Sequence, residues 1–424
     1  LILVVALLLS NITPILAEES TLNLQTIGVV LMEQESGKIL YEQSAHRKMY
    51  PASTSKILTA MIALENGNPE DVITIGNEVL AVPLDASKAG HEPGDQITLK
   101  NLIAALLLPS GNDSAFAVAS YVIEKTTGIE DISSEDANAK FAILMNQKAK
   151  ELGANESNYI NPHGYHDDNN YTTAYDLALI TREALKIPLI KEIVAESDYT
   201  IEVEGQRAFE WNNRNLLLDP KNSDYYYQYA TGVKTGYTEE AGECLVASAT
   251  KNGVKLIAVL MNSPKDARWN EAKTLFDYGF DNYAIHAIVK TGEVVEKAPV
   301  EEATKKGPAD LEAIATSDLS DVIKNEDVDK IQKTIAWNQT PFKAPITAGQ
   351  IVGKVTYELN GQTIGEVELA AKTNIEEQTL VEFIFSMKAV PYWGGLFGGL
   401  VVVSILIQIL TRRKNNNSRR HHYR

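Results

Sequence analysis

Cysteine is all but missing from this chain. The one thiol, Cys244, has no partner for an internal disulfide, which excludes a disulfide-stapled scaffold and fits an exported protein that uses none. Positive charge is scarce as well: 39 Lys and Arg stand against 56 Asp and Glu, a formal net charge of −17. Such a surface repels phosphate backbones and excludes general nucleic-acid binding. Any anionic substrate must therefore be met by locally placed cations. A fixed-period repeat is also lacking, which excludes a solenoid.

Apolar residues make up 44% of 424 positions, enough to build real cores in two or three units. Both ends carry membrane signals. The stretch "LILVVALLLSNITPILAEES" reads as an export signal without its n-region, residues 1–17, ending at the small residue Ala17 before Glu18 and Glu19. Near the other end "YWGGLFGGLVVVSILIQIL", Tyr392 to Leu410, carries no charge, and a membrane anchor is expected over residues 390–411. Tyr392 and Trp393 stand where interfacial aromatics belong, and a basic tail follows at 412–424 with Arg412, Arg413, Lys414, Arg419, Arg420 and Arg424. By the positive-inside rule this tail is cytoplasmic and the bulk of the protein lies on the other side of the membrane.

Between these ends two textures alternate. "TIGVVLMEQ" and "KILYEQS" read as strands around a turn at Ser36 and Gly37; helices dominate from about Pro51 to Lys186. A meander follows in "YATGVKTGYT", "ECLVASAT" and "VKLIAVLMN", with Lys251, Asn252 and Gly253 as a turn, and "DARWNEAKTLFDYGF" closes the unit as a helix. Strands from both ends can share one antiparallel sheet flanked by helices, so the expectation is an α+β domain over 18–282. Short alternating runs then predict an all-β module over 283–385, in which "SDLSDVIKNEDVDK" reads as a solvated loop or strand edge.

The chemistry-bearing residues lie in the first of these. In "MYPASTSKILTAMIALENG" a helix is predicted to begin near Ser53, which sets Ser53 and Lys56 one above the other on one face. A desolvated lysine can take the proton of a neighbouring serine, and free N–H groups at a helix start can hold an oxyanion. The S-x-x-K spacing alone is weak, since Ser248 and Lys251 repeat it on a strand that runs into a turn, with neither shared face nor helix start. In "IAALLLPSGNDSAFAVAS", Pro109 ends one helix and Asp113 or Ser114 is expected to cap the next, leaving Ser110, Gly111 and Asn112 on a tight loop. V-K-T-G occurs twice, with Lys234, Thr235 and Gly236 in the meander and Lys290, Thr291 and Gly292 beyond the closing helix, where a hairpin turn is expected beside Glu293.

Helix-borne S-x-x-K, loop S-x-N and strand K-T-G occur in the order shared by penicillin-binding proteins and class A β-lactamases. With "PASTSK", "LLLPSGNDSA", "NPHG", "GVKTGYTEEAGECLVASAT" and "PITAGQIVGKV", the chain resembles the D-alanyl-D-alanine carboxypeptidases, low-molecular-mass penicillin-binding proteins of serine-peptidase type. The resemblance implies a penicillin-binding/β-lactamase-like fold acting on peptidoglycan stem peptides, with β-lactams as covalent inhibitors and neither cofactor nor metal. It implies Ser53 as nucleophile, Lys56 as base, Ser110 and Asn112 in proton transfer and amide binding, Lys234 and Thr235 at the terminal carboxylate, and an oxyanion hole from the N–H groups of Ser53 and Tyr237. Which group is the acylation base is disputed across these enzymes.

Rival readings attach to particular residues. His163, His166, Asp167 and Asp168 in "NPHGYHDDNN" suggest a metal, but they share one short loop without helical spacing, and His163 is expected to brace that loop. A β-lactamase would use a deacylating Glu, and Glu151 with Asn155 matches two letters of that pattern; Gly153, however, places Glu151 in a helix's last turn. A catalytically idle penicillin-binding receptor is the other alternative. Thr173 and Asp176 read as a capping box, and Cys244 as a small buried strand residue beside Lys234, Thr235 and Gly236.

Overall fold

The computed structural model describes residues 22–202 and 207–420; the export-signal reading at 1–17 and Arg424 of the basic tail lie outside the described residues. The chain divides into two compact units between Asn282 and Tyr283. In the first, β1 (Gly28–Glu33) and β2 (Ile39–Gln43) precede α1 (Lys56–Asn66), β3 (Val72–Thr74), β4 (Gln96–Thr98), α2 (Leu99–Leu107) and α3 (Asn112–Thr127). Then come α4 (Ser134–Glu151), α5 (Ala174–Ala184), α6 (Pro188–Val194), β5 (Asp198–Ile201) and β6 (Phe209–Asn212). The meander β7 (Ala230–Thr238), β8 (Gly242–Lys251) and β9 (Val254–Ser263) leads into α7 (Ala267–Asn282).

The principal sheet is antiparallel with order β2-β1-β9-β8-β7, so strands from the two ends of the unit pair, Val30 facing Val259. All six residues of β1 are buried, as expected of a strand covered on both faces. Its alternation assigns the faces: Val30 and Met32 join the core shared with α1 to α6, while Leu31 meets α7 at Gly279. Helix α1 is buried from Lys56 through Ala63, the signature of a helix enclosed by others. β8 and β9 are joined by Asn252 and Gly253 at φ 52° and 85°; Lys251 stays in the ladder opposite Val254, so the turn has two residues rather than three.

Three local expectations are corrected. A 3-10 turn, Ala52–Ser55, precedes α1, so Ser53 stands one residue-turn ahead of the α-helix proper. Gly111, not Asp113 or Ser114, occupies the cap of α3; Asp113 lies inside the first turn because its carboxylate accepts the backbone N–H groups of Ala89, Gly90 and His91. Thr173 caps α5 by accepting from Asp176 N, but the Asp176 carboxylate turns to Glu156 N and Ser157 Oγ, so only half a capping box forms.

In the second unit β10 (Tyr283–Val289), β11 (Val294–Glu301), β12 (Asp310–Ala315), β13 (Leu319–Lys324), β14 (Gln332–Trp337), β15 (Phe342–Lys343), β16 (Ile351–Leu359) and β17 (Gln362–Ala371) form an all-β module. Its six-stranded sheet has order β14-β16-β17-β12-β11-β15, and β10 pairs with β13. The acidic stretch thus resolves into β13, with Val322 and Ile323 buried, and an adjoining 3-10 turn. Lys290, Thr291 and Gly292 do form a turn, with Thr291 N and Oγ1 donating to Asp318 and Gly292 at φ +81°. It is not a hairpin, because β10 and β11 pair with different partners.

A five-residue α8 (Leu380–Ile384) and α9 (Val390–Arg420) follow. Within α9 the 23 residues Val390–Arg412 are long and apolar enough to cross a membrane, the one such helix among the described residues. At 1.5 Å per residue they reach about 34 Å, against a hydrocarbon core of about 30 Å. The architecture is therefore the anticipated one: a helix-flanked antiparallel sheet, an all-β module and a C-terminal apolar helix.

A Cβ at position 279 would lie 2.5 Å from Leu256 Cδ1 and 3.1 Å from Leu31 Cδ2. Gly279→Val forces α7 off the sheet and is expected to lower unfolding free energy by about 1 to 3 kcal/mol, measured by urea titration.

Candidate active site

The P-A-S-T-S run closes its turn with its own hydroxyls: Thr54 Oγ1 donates to Pro51 O at 2.6 Å and Ser55 Oγ to Ala52 O at 2.9 Å. Ala52 is held at φ +47°, an uncommon conformation for a side chain-bearing residue, immediately before Ser53. Two glycines clamp this turn. A Cβ on Gly164, at φ +78°, would fall 1.8 Å from Ala52 O, and one on Gly236 would fall 3.1 Å from Ser53 N. Only bare backbone lets the N-P-H-G loop and β7 approach so closely.

Lys56 is fully buried one turn on. Its Nζ lies 2.9 Å from Ser53 Oγ, 3.0 Å from Asn112 Oδ1 and 2.6 Å from His163 O. Burial and then the Arg214 guanidinium push it down to about 7, partly opposed by Asp113. A neutral amine keeps two hydrogens and one lone pair. A carbonyl and an amide oxygen can only accept, so of the three partners only the Ser53 hydroxyl has a proton to offer that lone pair.

The second motif is set by the loop ahead of it. Ser87 Oγ donates to Ser110 O at 2.7 Å, and Ser87 O accepts from Asn112 N at 2.8 Å and Nδ2 at 3.0 Å. These bonds turn the Asn112 amide so that its oxygen faces Lys56. Ser110 itself is buried at φ +68°. On β7, Lys234 is buried with Nζ 3.1 Å from Thr235 O. Burial, then Lys56, Arg214 and Arg268, press its ammonium well below the usual lysine range.

Ser53, Ser110, Asn112, Thr235, Gly236 and Tyr237 all line one cleft of about 720 Å³, with Lys56 and Lys234 buried beside it. Every singled-out site residue is thus brought to one place. The second V-K-T-G belongs to the other unit, and Ser248 is bonded to Thr231 Oγ1 on the sheet. Glu151 ion-pairs with Lys148 at 3.1 Å at the end of α4 and does not line the cleft.

The N-P-H-G histidine is braced as expected, and it also contributes its carbonyl. Its ring stacks on Phe116 at 5.0 Å, its Nδ1 accepts from Tyr165 N, and burial followed by Lys56 pushes it down to about 3. His166 sits between Asp168 and Glu240, at 3.5 and 3.7 Å. Cys244, opposite Gly236, is buried and its thiol is pushed up to about 11.

Sequence reasoning missed Arg214, Arg268 and Ser87, all of which line the cleft. Arg268 donates to Gly236 O at 3.2 Å and Cys244 O at 3.3 Å from the first turn of α7, holding β7 by its backbone. No motif marks these three positions. The one available signal was physical: a chain of net charge −17 needs more than one cation where an anion binds.

Fold and cleft define a protein of the penicillin-binding class. The comparisons agree. A family model described as D-alanyl-D-alanine carboxypeptidase matches residues 16–265, and one for the penicillin-binding protein 5 C-terminal domain matches 283–377. D-alanyl-D-alanine carboxypeptidase DacF of Bacillus subtilis is 30% identical over 84% of this chain and 87% of its own length; DacC of Escherichia coli is 29% identical over 82% and 84%. Among solved structures, penicillin binding protein 5 of Haemophilus influenzae superposes with TM-score 0.62 at 28% identity, over 84% of this chain and 99% of that one. The Streptomyces K15 DD-transpeptidase gives TM-score 0.56 at 30% identity, over 62% and 99%. The chain belongs to the D-alanyl-D-alanine carboxypeptidase family and is a serine-type peptidase.

Folded Lys56 titrates near 7 and an unfolded lysine near 10.5, so between these values the unfolded state binds more protons and stability rises with pH. Relative to Lys56→Met, the wild-type protein is expected to gain up to about 1 kcal/mol per pH unit above neutrality, with no relative gain below it. Urea titrations of both proteins across that range check the sign.

Proposed function

We propose that the chain removes the terminal D-alanine from peptidoglycan pentapeptide stems through an acyl-serine intermediate. The observation that carries this is the 2.9 Å contact between Lys56 Nζ and Ser53 Oγ, in which the serine is the one partner able to donate to a neutral Lys56. As the Ser53 proton passes to Nζ, Oγ bonds to the carbonyl carbon between the two D-alanines, and the oxyanion rests on the N–H groups of Ser53 and Tyr237. The proton then reaches the leaving nitrogen by way of Lys56 and Ser110. The C–N bond breaks and D-alanine departs. Water hydrolyses the ester and restores Ser53.

Asn112 orients Lys56 through Oδ1 and borders the substrate amide, while Thr235 receives the terminal carboxylate under the positive potential of Lys234. A β-lactam enters by the same attack, but its leaving nitrogen stays tethered and the ester clears slowly. The K15 relative is named a transpeptidase, so the acceptor of the acyl group distinguishes the reactions; we assign water here. We further propose that α9 anchors the chain with its basic end in the cytoplasm and the catalytic unit outside, and that the β module, between the two in sequence, serves as the spacer toward the wall.

Incubation with penicillin is expected to add one adduct at Ser53 by mass spectrometry, and a D-Ala-D-Ala pentapeptide to lose one D-alanine; a labelled Ser53 without peptide turnover identifies an idle receptor instead. Lys234→Ala should slow both reactions about a hundredfold or more, the scale of one lost electrostatic contact in a closed site. Lys290→Ala should stay within about twofold, as for an exposed turn. Since only neutral Lys56 accepts the proton, the penicillin acylation rate should fall about tenfold per pH unit below about 7, followed by stopped-flow with a fluorescent β-lactam.

A further inference from the structure

The N-P-H-G loop does more at the cleft than lend Lys56 the carbonyl of His163. Its next two side chains reach two different walls. Tyr165 Oη donates to the Asp85 carboxylate, 3.3 Å from Oδ1 and 3.1 Å from Oδ2, on the loop that also carries Ser87. His166 lies 3.7 Å from Glu240, in the turn between β7 and β8. Asp85, Tyr165, His166 and Glu240 all line the cleft that holds Ser53. A polar crosspiece therefore ties the wall of Ser87 to the wall of β7.

The crosspiece is anchored within its own loop. The His166 ring packs edge-on against Tyr50 at 4.7 Å and faces Asp168 at 3.5 Å, while Tyr50 Oη donates to Asp168 at 3.4 Å. Tyr165 N donates to His163 Nδ1 at 3.1 Å, and Tyr165 O accepts from Asn161 Nδ2 at 3.0 Å. Gly164 N donates to Asn161 Oδ1 at 2.7 Å. The main chain that presents His163 O to Lys56 is thus held by bonds that do not involve the side chains of Tyr165 and His166.

Its place relative to the reaction follows from β7. With the terminal carboxylate at Thr235 and the attacked carbonyl at the N–H groups of Ser53 and Tyr237, the part of the acyl donor ahead of the two D-alanines runs on past Thr238 and Glu239 toward Glu240. All three line the cleft beyond Tyr237. We propose that Tyr165 and His166 determine which acyl donors are admitted: latched to Asp85 and Glu240, they obstruct stem peptides whose residue before the D-alanines carries a second peptide on its side chain, and pass unbranched stems. Selectivity of this kind comes from a clash with the wrong substrate and not from a tighter grip on the right one. It rests on the reading of the site as an acyl-transfer centre for stem peptides.

The test uses the full chain in detergent micelles and two donors that end in Lys-D-Ala-D-Ala. In one the lysine amine is acetylated, and in the other it carries a capped tetrapeptide. Neither donor has a side-chain ammonium, so the comparison reads size and not charge. D-alanine release is measured for the wild type and for the Tyr165→Phe/His166→Ala double variant, with the penicillin adduct at Ser53 as the check of an intact site. The wild type is expected to favour the acetylated donor about tenfold or more in kcat/KM, and the double variant to narrow that ratio at least about fivefold through faster turnover of the branched donor. A wild type that treats the two donors within about twofold of each other overturns the proposal, and so does a double variant that is labelled normally and keeps the wild-type ratio. If the double variant is not labelled, Tyr165→Phe alone, which removes one hydroxyl and leaves the ring, carries the comparison, and an unchanged ratio there overturns the proposal equally. A wild type labelled at Ser53 that releases D-alanine from neither donor overturns the peptidase reading and the proposal together.

Discussion

One buried amine organises the first unit. Lys56 reaches Ser53 on the turn before α1, Asn112 at the start of α3 and the carbonyl of His163 in the N-P-H-G loop, three segments remote in sequence. Removing an ammonium from water costs several kcal/mol, which a protein meets by pairing the charge or by releasing the proton. Among the described residues no carboxylate is bonded to Nζ, and the group is pushed down to about 7. The same feature that makes the lysine expensive to bury leaves it with a free lone pair. A single desolvation sets both what the lysine costs the fold and what it can do in the cleft.

The remaining cations extend that logic across the cleft. After burial itself, Lys56, Arg214 and Arg268 hold Lys234 down, while Arg268 is ion-paired with Glu243 at 3.3 Å. In a protein of net charge −17 this concentration of positive charge is local, and it shares the cleft with Asp85, Glu239 and Glu240. Arg268 adds rigidity to charge, since its bonds to Gly236 O and Cys244 O hold the edge strand whose glycine abuts Ser53 N.

Legibility followed the range of the forces involved. Ser53 with Lys56, the Ser110 loop and the strand carrying Lys234 to Tyr237 could be read because each is a local pattern of helix start, loop or strand. The sheet could be read because its strands are long apolar runs flanked by turns. Asp113 was misjudged as a cap because its partners, the N–H groups of residues 89–91, arrive from a loop that no helix rule considers. Asp176 failed its box for the same reason. The turn at Thr291 was recognised, but strand pairing is a long-range choice, and β10 chose β13. Arg214 and Ser87 carry no spacing at all; only the folded chain shows that they line the same cleft as Ser53. The β5–β6 hairpin escaped notice because four-residue strands offer too few alternations to count.

The strand order has a kinetic meaning. β1 is placed between β2 and β9, so the first strand made waits for nearly the last one before its second edge is paired. A chain delivered from its N-terminus therefore carries an open, largely apolar strand edge until the meander has emerged, whether it leaves a ribosome or a membrane pore. Such long-range pairing makes folding slow. It also sets an order of events: the turn that bears Ser53 is delivered early, yet Gly236 can close on it only after β7 has joined the sheet, so the cleft is assembled last.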